Sequence, residues 1–269
     1  MENKIENSSF YGLPVSLISE ISLNDFFKNA ISSTKRKIIY GYSLHSIYAL
    51  KKIPEIYTLG SKSDLFLTDG RPFYWLCKLK KIPVSPGISI PECVMSALDF
   101  ANSNQLSVML IGAKEKINIR AQNNLKKRYK GIKVIDGFHG YFTCSEENKI
   151  VDAINNAKPD FLLVGMPSPK KEKFVINNTL NAKIIIPCGG MLDVLAGKTK
   201  MTPKWFKRRG LATLFRVAQE PQRLFIDRCK MIYFLLTNFF PLLFVKIVLK
   251  SENFSIPEHY LSDHSFIEQ

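Results

Sequence analysis

The chain has 269 residues, 46% of them hydrophobic, and a formal net charge of +15. That composition is globular and long enough for a full core, with no internal repeat or low-complexity tract. The charge calls for an anionic partner: phosphorylated substrates, an acidic membrane face or nucleic acid. The five cysteines, at 77, 93, 144, 188 and 229, form no C-x-x-C pair. This speaks for a reducing compartment and against a zinc or disulfide framework. The opening MENKIENSSF is polar and reads as no secretory signal.

Near the start lie a short apolar segment, Leu13–Ile18, and a predicted helix, Ser22–Ile31. Strand-like runs then recur at Lys37–Tyr42, Asp64–Leu67, Leu106–Ile111, Ile132–Ile135, Phe161–Val164 and Lys183–Pro187. Helical patterns fall between most of them: Leu44–Ile53, Phe73–Lys80, Pro91–Asn102, Lys114–Tyr129 and Glu146–Asn156. Strands alternating with helices predict an α/β fold, a Rossmann-like, mostly parallel sheet with helices on both faces. Ligands in such sheets bind beyond the strands' carboxyl ends. That draws attention to Ser43, Asp69, Gly112, His139, 167–171 and 189–193.

Four places there carry possible chemistry. In DFLLVGMPSPKKEK, Gly165 ends an apolar run, and Ser168 and Pro169 read as a helix cap and first helical residue. Backbone N–H groups there, with Lys170 and Lys171, suit a phosphate; an ordinary βα turn is the other reading. Asp69 ends a strand and can serve as a base in a dry cleft, or simply begin an Asp-Gly turn. Gly189 and Gly190 allow close approach to a ligand, and Asp193 can accept from ribose or a base edge, or meet the helix dipole. Arg216 and Arg223 can clamp a diphosphate, or belong to a solvated basic face. His45 and His139 lack metal-ligand spacing and read as structural. No D-x-D pair and no G-x-x-x-x-G-K-[ST] loop is present.

After Gly197 the character changes. Lys198–Lys230 holds ten Lys or Arg against Glu220 and Asp227, interleaved with apolar residues. Met231–Leu249 is nearly all apolar but is interrupted by Asn238, Pro241 and Lys246. A spanning helix needs about 20 clean apolar residues. This one better fits a helix lying in the headgroup region of an anionic membrane. The tail, 251–269, reads as a flexible end. Nucleic acid is disfavoured as partner, since no stacking or helix-turn-helix signature is present.

These motifs in this order resemble the WecG/TagA/CpsF family of bacterial glycosyltransferases. The resemblance runs over TDGRP (68–72), the PGISI stretch within 85–90, LIG (110–112) and DGFHGYF (136–142). It continues through AKPDFLLVGMPSPKKEKF (157–174), CGGMLDVLAGK (188–198) and TPKWFKRRGLATLFRVAQEPQR (202–223). It implies an inverting, metal-independent transfer from a UDP-sugar to a polyprenyl-diphosphate-linked sugar at the cytoplasmic membrane face. The product would be cell-surface polysaccharide such as teichoic acid, capsule or exopolysaccharide. No cofactor is implied, and a homo-oligomer is possible in such a family. The family's base falls on Asp69, its PKQE block on 169–172 including Glu172, its GGxFD block on 189–193, and its appendage arginines on Arg216 and Arg223. The expected division is a catalytic body over 1–197, a basic, membrane-associated helical appendage over 198–250 and the tail over 251–269. The chain departs from the family pattern at Val84, Ser89, Lys171, Met201, Ala212 and Thr213. These leave the donor sugar open, with a divergent, non-catalytic UDP-sugar-binding or membrane-complex protein as the alternative.

Overall fold

A computed structural model describes residues 6–10, 13–17, 20–43, 45, 46, 49, 53–79, 81, 82, 88–234, 236 and 237. The expected helix at Leu44–Ile53 lies partly outside these residues. So do Val84, most of the apolar Met231–Leu249 stretch and the whole 251–269 tail.

The chain opens with an antiparallel hairpin, β1 (Glu6–Phe10) and β2 (Leu13–Leu17), which pairs Phe10 with Leu13 at its turn. Only its second arm was signalled in the sequence, as an apolar segment. Helix α1 (Glu20–Ser32) follows, then β3 (Lys37–Tyr42), α2 (Glu55–Ser61), β4 (Leu65–Thr68), α3 (Arg71–Leu79) and α4 (Ile90–Ser103). Next come β5 (Ser107–Gly112), α5 (Glu115–Arg128), β6 (Lys133–Phe138), α6 (Cys144–Ala157), β7 (Phe161–Gly165), α7 (Lys170–Asn177) and β8 (Ile184–Pro187). Helix α8 (Met191–Leu195) follows, and the C-terminal segment carries α9 (Lys204–Arg208), α10 (Ala212–Gln219) and α11 (Pro221–Phe234).

Strands β3 to β8 form one six-stranded sheet in the order β4-β3-β8-β7-β5-β6, all parallel. The fully buried strands explain the unbroken apolar runs: β4, β7 and β8 are buried at every residue. Side chains alternate between two cores. Tyr40, Phe66, Ile111, Val164 and Ile185 face one, under α2, α3, α6 and α7. Ile39, Leu67, Leu110, Leu163 and Ile186 face the other, under α1, α4, α5 and α8. The hairpin lies against β4, where the Phe66 N–H donates to Ser16 Oγ at 3.0 Å. This occupies a backbone donor on the edge strand β4.

Chain direction reverses within the sheet. From β5 the chain moves outward to β6, whereas from β7 it moves the other way to β8. The carboxyl ends of all six strands share one edge, and the loops that follow them meet there. Among the described residues no helix is long and apolar enough to cross a membrane.

Candidate active site

A cleft of about 760 Å³ opens at that edge, beyond the ends of β4, β3 and β8. Its floor carries Ser43, Asp69, Gly70, Ser89, Glu92, Gly190 and Asp193. Its far wall is the C-terminal segment: Lys200, Thr202, Lys207, Arg208, Arg216 and Arg228, with Leu224 and Met231 from α11.

Asp69 directly follows β4, and its N–H donates to the Tyr42 carbonyl at 2.7 Å, continuing the β3–β4 ladder by one residue. The side chain turns towards α4, where the Ile90 N–H donates to Oδ1 at 3.3 Å. Burial raises the carboxyl above the ordinary aspartate range and Glu92 pushes in the same direction. The Arg216 guanidinium, the Ile90 N–H and the Lys207 ammonium pull it down, but burial prevails. The result is a carboxyl with a raised pKa in a cleft that Arg216 also lines.

Glu92 sits in the first turn of α4. Its Oε2 accepts from the Ser89 N–H at 2.9 Å and the Ser89 hydroxyl at 2.6 Å, a capping box. Its Oε1 accepts from Lys207 Nζ at 3.1 Å. Burial tends to raise the Glu92 carboxyl, but the Ser89 and Lys207 donors hold it below the usual range. Glu92 and Lys207 escaped the sequence reading. Ser89–Glu92 was legible as an S-x-x-E box before an apolar run, whereas nothing local marks Lys207 as the partner of a residue far up the chain.

Gly189 and Gly190 face open space, and Gly189 has φ +54°, a left-handed conformation suited to glycine. Gly190 and Asp193 line the cleft. Asp193 Oδ1 accepts from Lys198 Nζ at 2.9 Å, and its carbonyl accepts from the N–H groups of Lys198 and Thr199. It therefore anchors the start of the C-terminal segment. Arg216 faces the cleft from α10. Arg223 lies on α11, one turn before the cleft-lining Arg228.

The PSPKKE block behaves differently from the sequence expectation. The helix begins one residue later than expected: Pro169 is the N-cap of α7, and no side chain caps it. The Ser168 hydroxyl instead donates to Glu172 Oε1 at 2.8 Å. That same oxygen accepts from the Tyr40 hydroxyl at 2.7 Å and pairs with Lys171 Nζ at 2.6 Å. Lys171 also donates to Ser168. Glu172 is 0% exposed, so its carboxylate meets protein groups and not solvent. Burial raises the carboxyl, but the Lys171 ammonium and the hydroxyls of Tyr40 and Ser168 leave it below the usual range. Lys170 Nζ lies 4.0 Å from the centre of the Phe142 ring and donates to the Phe142 carbonyl at 3.2 Å. Gly165 meets Leu192: a Cβ there would stand 2.5 Å from its methyl carbon, so its smallness serves packing. None of Gly165, Ser168, Lys170, Lys171, Glu172 or Gly189 lines the large cleft. Tyr40 and Phe174 pack on one face of the sheet with this block, whereas Ile90 and Met191 pack on the other; the cleft draws on both, since Tyr74 and Met231 line it too.

His45 lines the cleft, and the His139 ring nitrogen Nδ1 accepts from the Tyr141 N–H at 3.2 Å. Among the described residues no group of three His, Cys, Asp or Glu is placed to hold a metal ion.

The profile of the glycosyl transferase WecG/TagA/CpsF family matches residues 8–249. Curated relatives from Staphylococcus aureus strains MRSA252, MW2 and NCTC 8325 are each 32% identical over 166 residues, 61% of this chain. Each is named N-acetylglucosaminyldiphosphoundecaprenol N-acetyl-beta-D-mannosaminyltransferase, and the match spans 65% of its length. With a family profile matched over most of its length, a parallel α/β sheet and a polar cleft at the strands' carboxyl edge, this chain belongs to the WecG/TagA/CpsF family of glycosyl transferases.

Proposed function

We propose that the protein is an inverting, metal-independent glycosyltransferase that moves a sugar from a UDP-sugar to a polyprenyl-diphosphate-linked sugar. The observation that carries this is Asp69: a carboxyl with a raised pKa, at a strand end, in a cleft of about 760 Å³ that Arg216 also lines. That volume suits a small-molecule ligand. Asp69 takes the proton of the acceptor hydroxyl as that oxygen attacks the anomeric carbon. The bond from that carbon to the UDP oxygen breaks, and its electron pair leaves with the diphosphate. Arg216 and Arg223 meet the growing negative charge. Attack opposite the leaving group inverts the anomeric centre. In this reading residues 1–197 form the catalytic body, 198–250 the appendage that covers it and 251–269 the tail.

The relatives' name makes N-acetylglucosaminyl-diphosphoundecaprenol the first acceptor to test and N-acetylmannosamine the first donor sugar. The donor deserves a panel, because Ser89, Met201, Ala212 and Thr213, all departures from the family pattern, line the cleft. The solubilised full chain is expected to release UDP from one UDP-sugar of such a panel only when the acceptor is present, with or without EDTA. UDP binding without transfer to any acceptor sugar tried would instead make the chain a non-catalytic binder.

The membrane reading is supported by α11. Leu224, Arg228 and Met231 line the cleft, while Phe225, Ile226, Ile232 and Tyr233 are exposed on the same helix. With the basic residues around it, that outer side suits an anionic bilayer. Phe225→Glu with Ile226→Glu is expected to weaken binding to anionic vesicles by at least tenfold, about 0.8 kcal/mol being lost per buried CH₂ withdrawn. Undiminished vesicle binding would remove α11 from the membrane contact.

A further inference from the structure

Lys198 ties the start of the C-terminal segment to Asp193 of the α/β body at 2.9 Å and to Glu220, farther along the segment, at 3.7 Å. Beyond that, Gly210 has φ +74°, and a Cβ there would stand 2.9 Å from the Trp75 ring, so the turn after α9 rests on α3. Between these two points lies Lys207. It is on α9, its side chain is 19% exposed, and its ammonium reaches Glu92 at the start of α4.

Glu92 is divided between two tasks. One oxygen closes the capping box with Ser89; the other holds Lys207. The cap fixes the rotamer of the carboxylate before the lysine arrives, which lowers the entropy lost in pairing. Nine residues after Lys207 comes Arg216, whose charge acts on Asp69. We propose that Lys207 is a positioning residue: its pairing with Glu92 fastens the C-terminal segment across the cleft and sets Arg216 opposite Asp69. This rests on the reading of Asp69 as the base.

The pair is also placed to set the charge around Asp69. Arg216 and Lys207 from the segment and Glu92 from α4 all act on the Asp69 carboxyl. His45 and Arg71 share the cleft from the body, with Asp193 of α8 and Glu220. Lys200, Lys204, Arg208 and Arg228 complete its charges from the segment. Removing Lys207 leaves Glu92 uncompensated beside Asp69; removing Glu92 leaves Lys207 uncompensated. Both losses unfasten the segment and withdraw Arg216 from Asp69, which raises its carboxyl; in Glu92→Gln the missing negative charge offsets part of that rise.

The test uses the full chain with Lys207→Met, Lys207→Arg and Glu92→Gln. Amide exchange over 198–234 is expected to quicken in Lys207→Met and Glu92→Gln and stay slow in Lys207→Arg. Exchange in β3, β7 and β8 should be unchanged in all three, reporting an intact body. For sugar transfer, kcat/KM should fall about tenfold in the first two, as fits a fastened state cut to about a tenth of its population. The acidic limb of the pH profile should move up in Lys207→Met and less far in Glu92→Gln. Unchanged exchange in Lys207→Met would overturn the fastening. A loosened segment whose acidic limb does not rise in Lys207→Met would overturn the positioning of Arg216 and Asp69. Failure of the wild-type chain to transfer any sugar would sink the reading of Asp69, and the exchange result would still decide whether Lys207 fastens the segment.

Discussion

Asp69→Asn is expected to lower sugar transfer by about 10²–10⁴-fold, the usual worth of a positioned general base, and to leave UDP affinity unchanged. Asparagine keeps the shape and can still accept from the Ile90 N–H, but it cannot take the acceptor's proton. The wild-type pH profile carries the same signature. A base works deprotonated, and burial holds the Asp69 carboxyl above the usual aspartate range. Transfer should therefore fall on acidification with a midpoint above about 3.9, the unperturbed aspartate value. The linkage runs the opposite way for stability. A carboxyl whose folded pKa is raised destabilises the fold when ionised and is relieved as the pH falls through that pKa. Asp69→Asn should therefore melt no lower than wild type at neutral pH, and a loss of transfer caused by unfolding would show at once in the melt. Unchanged turnover in Asp69→Asn would remove this residue as the base.

The largest expected effect on stability comes from Lys171→Met. Glu172 is wholly buried, and Lys171 is its charged partner at 2.6 Å. Breaking a buried pair by removing one partner costs about 3–5 kcal/mol, because the other charge is left in the interior. For a chain of this size that is a fall in Tm on the order of 10 °C. Lys171→Gln should lose less, since an amide restores a donor to Glu172. The pH dependence again has a definite sign. The Glu172 carboxyl is held below its usual range, so its contribution is present above about 4.3, the unperturbed glutamate value, and is lost as the pH falls through the lowered pKa. Thermal melts of the variants at neutral and acid pH measure both effects. An unchanged Tm in Lys171→Met with a loss of UDP affinity would return Lys171 to the ligand, as the sequence suggested.

Much of the architecture was legible in the residues. The runs Lys37–Tyr42, Phe161–Val164 and Lys183–Pro187 fall on β3, β7 and β8 within a residue. Helices α4, α5 and α6 fall within two residues of the expected bounds at each end. Parallel strands buried on both faces must be apolar throughout, and their helices must be amphipathic. A linear pattern therefore carries the fold class. The rule that ligands gather beyond the strands' carboxyl ends likewise pointed to Asp69, Gly190 and Asp193, which do line one cleft.

Two things were decided only in three dimensions. The side of the sheet taken by each following helix separated the two glycine- and lysine-rich turns. β7 and β8 are neighbours, yet the helices after them pack on opposite faces, so Ser168, Lys171 and Glu172 join Tyr40 while Gly190 and Asp193 join Asp69 at the cleft. No local spacing says on which face a crossover helix will lie. The second is the wall of the cleft. Lys207 and Glu92 stand 115 positions apart, and a pairing at that distance leaves no mark on the sequence near either residue. The residue types at strand ends follow from local chemistry and can be read from the chain. The partners they meet depend on how the sheet orders its strands and where residues 198–234 fold back, and packing alone settles that.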